Sequence, residues 1–349
     1  MADRPLKLGI VGATGAVGTA LLEELEEGRA PVSELRLFAS PRSEERVLGF
    51  RGDELEVEAV AERSFRGLDA AIFAAGAAAA QQWAPRAWAE GCFAIDVSPA
   101  FRGDPEVPLV VAEVNPQALS PLPARGTVAS PSGSAAALAL VLAPLHRFAG
   151  LERLVVTVFH SASGSGRLGV GQLESEVVAL LNGEEPEPSD LSHRMGFNLV
   201  PQVGDPLAGG YTSEEVGLGA ELRRVLGAPE LRTSATVVRV PVFYAHGLAV
   251  NFTTARKLAP EEARALLREA AGVKVVDALG ERVYPMPMLA VNDDAVLVGR
   301  IREDPSQERG LDLFAAADNL RRGAALNALE LARQLTLRRE AGRGGENPR

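Results

Sequence analysis

Residues 6–11 form a short apolar run, and the next seven residues are Gly12-Ala13-Thr14-Gly15-Ala16-Val17-Gly18. An unbroken apolar run of this length suits a strand buried on both faces, as strands of parallel sheets are. Behind the glycines a helical pattern continues to about Leu25. Strand, glycine turn and helix in this order open a doubly wound α/β sheet, and the free backbone N–H groups at the helix start face an anion. The position of the turn between strand and helix points to a dinucleotide pyrophosphate held by Gly12, Thr14, Gly15, Ala16 and Val17 rather than to an ordinary tight turn.

The next apolar run, Leu35 to Ala39, reads as the second strand and ends in Ser40-Pro41-Arg42-Ser43. A site preferring NAD offers an acidic residue here to the ribose 2′-OH, whereas arginine suits a 2′-phosphate. With no acid at this strand end, the expected cofactor is NADP, contacted by Ser40, Arg42 and Ser43. Further strands are expected at Ala70 to Ala74, Phe93 to Asp96 and Leu109 to Val111, alternating with helical or loop segments. Ala75-Gly76 follows the first of them, where small residues either admit a nicotinamide ring or simply form a turn.

Beyond residue 130 the pattern changes. Valine-rich strands are expected at Leu154 to Phe159, Ala235 to Val242, Leu248 to Thr253 and Ala295 to Arg300, with fewer helices between them. The expected organisation is a Rossmann-type, doubly wound parallel sheet over residues 1–130, with an amphipathic helix pattern over 311–335. Residues 131–310 read as an α+β domain whose sheet suits an oligomer interface. Gly183 to Asp190 reads as an exposed loop, and residues 339–349 as a disordered polar tail.

Composition removes several classes. A chain of 349 residues with 46% hydrophobic residues suits two globular domains, and a net charge of −10 argues against nucleic acid as a partner. The longest apolar runs, Ala70 to Ala80 and Ala135 to Leu145, are too short to span a bilayer. With no signal-peptide pattern at the N-terminus, the expected location is cytoplasmic. Cys92 is the one cysteine, which excludes an internal disulfide, and its surroundings suit a buried small hydrophobe. His146, His160, His193 and His246 lack metal-ligand spacing, so no metal is expected.

The small-residue turn Ala129-Ser130-Pro131-Ser132-Gly133-Ser134-Ala135 leads into a helix-like run from Ala136 to Leu142, another helix start suited to holding a reacting group. Around this turn, separated segments carry a resemblance. They are Gly12 to Gly18, Ala39-Ser40-Pro41-Arg42-Ser43, Ile95-Asp96-Val97-Ser98-Pro99-Ala100-Phe101-Arg102 and Val110-Val111-Ala112-Glu113-Val114-Asn115-Pro116 in the first half. Phe197-Asn198-Leu199-Val200-Pro201-Gln202, Val238-Arg239-Val240-Pro241-Val242-Phe243-Tyr244-Ala245-His246 and Ala317-Asp318-Asn319-Leu320 follow. In this order they resemble aspartate-semialdehyde dehydrogenase over nearly the whole chain.

The resemblance implies an NADP-binding domain over residues 1–130 completed by the C-terminal helix, a second domain over 131–310 for catalysis and homodimerisation, and a reaction in which a thiolate attacks an aldehyde, hydride passes to NADP, and phosphate releases the acyl group. It assigns His246 as general acid/base and Arg239 as the clamp on the substrate carboxylate. Glu221 matches the residue holding the substrate amino group, Arg102 a phosphate-binding arginine, and Asn319 a cofactor contact. The chain departs from the family pattern at the reaction centre. Gly133 stands where the family has its nucleophilic cysteine, His160 replaces the glutamine that orients the thioester, and Gly217 replaces a lysine four residues before Glu221. In this the chain resembles the USG-type branch, which lacks the thiol. An active dehydrogenase would need another nucleophile, such as Ser132 or Ser134 with His160 as base, and a Ser134/His160 hydrolase is a third reading.

Overall fold

The computed structural model describes residues 4–40, 46–187 and 193–344. Arg42, Ser43 and the end of the loop at Asp190 therefore lie outside the described residues, as do residues 345–349. The chain divides into two compact units, Met1–Ser132 with Ala324–Arg349, and Gly133–Gly323.

The first unit is built on a sheet of seven strands: β1 (Leu6–Val11), β2 (Val32–Ala39), β3 (Val47–Phe50), β4 (Asp53–Ala59), β5 (Ala70–Phe73), β6 (Phe93–Asp96) and β7 (Thr127–Ala129). Their order is β3-β4-β2-β1-β5-β6-β7, parallel throughout except for the β3/β4 hairpin at the edge. Helix α1 (Ala16–Glu26) connects β1 to β2, and α2 (Ala77–Ala89) connects β5 to β6. Strands β5 and β6 are buried at every residue, which is why they read as continuous apolar runs. Phe38, Phe65 and Phe73 meet at ring-centroid distances of 5.7 Å, an aromatic cluster packed into this core. Leu109 to Val111 is not a strand: Leu109 makes only an isolated bridge to Ala129.

The helix that completes this unit is α8 (Leu326–Gly344). Asn327, near its start, is buried and accepts from the Ala112 amide at 2.9 Å while donating to Val110 O and Ser130 Oγ at 2.9 and 2.8 Å. Three bonds to one buried amide pin the helix to loops 197 to 217 residues earlier in the chain. The expected tail starts too early, because Arg339 is still helical and reaches Asp69 at 2.9 Å and Gly91 O at 2.8 Å. Its guanidinium also lies over the Phe93 ring.

The second unit holds a six-stranded sheet of order β11-β12-β13-β10-β8-β9. The strands are β8 (Leu151–His160), β9 (Arg232–Arg239), β10 (His246–Thr254), β11 (Val273–Val275), β12 (Val296–Glu303) and β13 (Gly310–Ala317). The β8/β9 and β11/β12 pairs are parallel and the others antiparallel. Helices α3 (Gly133–Ala149), α4 (Gly166–Leu181), α5 (Ser213–Leu226), α6 (Pro260–Arg268) and α7 (Pro287–Ala290) accompany it. The expected helix over 311–335 is corrected here, since its first seven residues form β13. Their alternation is masked by three consecutive alanines, which suit a helix as well as a central strand. Among the described residues no helix is long and apolar enough to cross a membrane.

Candidate active site

In the first unit the glycine turn is shaped by backbone crowding. Gly12 adopts φ +94°, and a Cβ there would stand 2.7 Å from the Ala74 carbonyl carbon, so any other residue is strained twice over. A side chain on Gly18 would strike the Gly12 carbonyl, so glycine lets α1 pack down on the turn. Gly15 caps α1 with no side-chain hydrogen bond, and the first helical turn contains no acidic residue. That end of the helix keeps its positive character for an anion. Ala75 and Gly76 are exposed at the C-terminal end of β5, with Gly76 at φ +88° leading into α2. Ser40 is exposed at the end of β2. Arg102 belongs to this unit too, where its guanidinium donates to Ser130 O at 3.2 Å and Val97 O at 2.8 Å.

The second unit gathers five of the expected residues. His160 ends β8, Arg239 ends β9 directly beside it in the parallel register, and His246 begins β10. Ala245, in the left-handed region at φ +65°, turns the chain into that strand. The His160 and His246 rings stack with centroids 4.1 Å apart and planes inclined by 33°. The Ser161 amide donates to His246 Nδ1 at 3.1 Å, and Ser161 Oγ lies 3.0 Å from the same atom. Ser161 Oγ is 2.9 Å from Ser163 Oγ, which donates to Asn319 Oδ1 at 2.9 Å. Asn319 in turn borders Gly133, the first residue of α3: a Cβ on Gly133 would lie 3.0 Å from the Asn319 carbonyl oxygen. Gly133, Asn319, His246, His160 and Arg239 thus form one connected cluster.

Burial sets the charge states. His160, Arg239 and His246 are each at least nine-tenths buried. Burial, reinforced by the Arg239 cation, pushes His160 down to about 3. His246 is driven well below the usual histidine range by burial, then by His160 and Arg239. Both rings are neutral at pH 7. Arg239 is lowered by its own burial, with Glu214 acting in the opposite sense, and its Nη1 has no hydrogen-bond partner. An orphaned buried guanidinium N–H is costly unless a ligand satisfies it, so this atom marks a place for an acceptor such as a carboxylate. His160 Nδ1 is likewise buried without a partner.

Glu221 is buried on α5, and Gly217 one turn earlier leaves its carboxylate 3.8 Å from where a Cβ would be. Ser161, Ser163 and Gly164 border the cluster and were not singled out from the sequence, because Ser-Ala-Ser-Gly reads as turn chemistry. Their signal lay in the glycine: any side chain on Gly164 would collide with the His160 ring. Cys92 is fully buried before β6, and burial pushes its thiol far up.

A family model described as the semialdehyde dehydrogenase NAD binding domain matches residues 7–121, and one described as the semialdehyde dehydrogenase dimerisation domain matches residues 142–322. Aspartate-semialdehyde dehydrogenase of Aquifex aeolicus is 41% identical over 331 residues, covering 94% of this chain and 97% of the relative. The chain belongs to the aspartate-semialdehyde dehydrogenase family. The corresponding enzyme of Streptomyces akiyoshiensis is 42% identical over 94% of this chain and 97% of its own length. The crystal structure of aspartate-semialdehyde dehydrogenase II from Vibrio cholerae superposes with a TM-score of 0.92 at 37% identity, covering 95% of this chain and 98% of that one. The family frame agrees with the two units: a parallel sheet carrying an NAD(P)-binding turn, and an α+β dimerisation domain.

Proposed function

We propose that this chain is an NADP-binding, homodimeric member of the aspartate-semialdehyde dehydrogenase family that binds a small carboxylate ligand but has lost most or all of the family's thiol-dependent reaction. The observation that carries this reading is the fate of the thiol. Gly133 begins α3 where the resemblance aligns the nucleophile, and the one cysteine of the sequence, Cys92, is fully buried in the first unit with its thiolate strongly disfavoured. Loss of a nucleophile costs serine proteases about a millionfold in turnover, roughly 8 kcal/mol of barrier.

The residues of the first unit fit the cofactor. The uncapped start of α1 and the Gly12-to-Val17 turn would hold the pyrophosphate, Ser40, Arg42 and Ser43 the 2′-phosphate, and Ala75 and Gly76 the nicotinamide end. Bound NADP would supply a hydride carrier. In the second unit Arg239 would take the ligand carboxylate through its unpartnered Nη1, with Glu221 of the same unit as a further polar group for the ligand. Leu168, Leu181 and Met288, exposed by 80, 73 and 79%, support an interface with a second copy.

A serine-based dehydrogenase or hydrolase finds less support. Its base would be His160, whose Nδ1 has no partner and whose burial holds it near 3, too weak to activate a hydroxyl at pH 7. Calorimetric titration with NADPH tests the cofactor, and phosphate-dependent NADPH formation from aspartate semialdehyde tests the chemistry. Binding without turnover is expected. Turnover abolished by Ser134→Ala would overturn the reading.

A further inference from the structure

The bonds around His246 decide which of its ring nitrogens carries the proton. A backbone amide can only donate. The Ser161 amide donates to His246 Nδ1 at 3.1 Å, so Nδ1 presents its lone pair and holds no proton. A neutral imidazole without a proton on Nδ1 carries it on Nε2.

The surrounding groups hold this state in place. Asn319 Oδ1 accepts from the Ser163 hydroxyl at 2.9 Å, which leaves the Ser163 lone pairs facing Ser161 Oγ at 2.9 Å. The Ser161 hydroxyl then turns to Ser163, to His246 Nδ1 at 3.0 Å or to Asn319 Oδ1 at 3.4 Å, and in every orientation the amide still occupies Nδ1. A proton on Nδ1 would face the amide hydrogen head-on. From β8 the neutral His160 ring covers one side, and from β9 the Arg239 cation opposes any positive charge. Nε2 takes part in no hydrogen bond among the described residues.

We infer that Ser161 is a positioning residue that locks His246 as a permanent hydrogen-bond donor through Nε2–H, so that the site recognises and polarises a ligand oxygen and does not abstract a proton. The atom opposite His246 is therefore an acceptor: a carboxylate, carbonyl or phosphoryl oxygen. A ring held this way replaces the acid/base role expected for His246 with oxyanion-type recognition. The inference concerns His246 itself and stands whether or not the first unit binds NADP.

Long-range proton–nitrogen correlation spectra of the full chain labelled with 15N-histidine test it, with His246→Asn assigning the signals. The expected pattern at pH 7 is an unprotonated Nδ1 and a protonated Nε2, unchanged at pH 5.5. A protonated Nδ1, or an imidazolium at pH 7, overturns the proposal. In Ser161→Ala the amide remains but the hydroxyl is gone, so the Nδ1 signal moves toward that of a less hydrogen-bonded nitrogen, and Ser161→Thr returns it. An unmoved Nδ1 signal in folded Ser161→Ala removes the side chain's part in the lock. If that variant does not fold, the wild-type pattern alone decides.

Discussion

Gly323 packs its backbone directly against Gly133: a Cβ on Gly323 would stand 2.7 Å from the Gly133 Cα. Two glycines meet where α3 begins, and the Asn319 carbonyl closes the remaining side. Position 133 is thus a tight backbone junction as well as the place of a missing side chain.

Gly323→Ala is expected to destabilise the fold by about 1–3 kcal/mol through overpacking. Gly133→Ala needs only a few tenths of an ångström from the Asn319 carbonyl, so it costs less. Urea denaturation of the two variants side by side checks the order.

Gly133→Cys restores a thiol at a helix start, a position that favours the thiolate. The introduced thiol is expected to react with iodoacetamide at least tenfold faster than the buried Cys92, about the margin that its lowered pKa and access provide. Turnover of aspartate semialdehyde rises above the wild type but stays well short of a thiol enzyme, and Gly133→Cys with His160→Gln raises it further. Full recovery from Gly133→Cys alone would show that only the nucleophile had been lost.

Stability is expected to fall with acid. His160 titrates near 3 in the folded chain and near 6.5 when unfolded, so between those values the unfolded state binds the extra proton and stability drops as pH falls through that window. His246 acts in the same direction. His160→Gln removes one of these protons and flattens the slope between pH 6 and 4 by about 1.4 kcal/mol per unit. Denaturant titrations at three pH values measure it.

Arg42→Ala is expected to weaken NADPH binding about tenfold or more while leaving NADH unchanged, because one charge-assisted bond to a 2′-phosphate is lost. Parallel calorimetric titrations with the two cofactors separate this from general damage to the turn.

Much of the first unit was legible because its causes are local. Strands β1 and β6 fall where their apolar runs begin and end, and the glycine turn lies between strand and helix as read. The second unit was less legible. The β3/β4 hairpin in the first unit and β13 in the second went unread, since short alternation is obscured by edge charges in one and by alanines in the other. Ser161 and Ser163 looked like turn residues, and no pattern within their own segment shows that they face an imidazole.

The sequence by itself determined the class of the chain, the order of its motifs and the glycine at position 133, because these are carried by residue identity and short-range spacing. Tertiary structure alone decided the state of the site. The amide that sets the His246 tautomer comes from 85 residues away, and the hydroxyl that meets Asn319 from 156. Stacking of His160 on His246 and the unpartnered Arg239 Nη1 arise only when β8, β9 and β10 are brought side by side and water is excluded, and the resulting desolvation leaves both rings neutral.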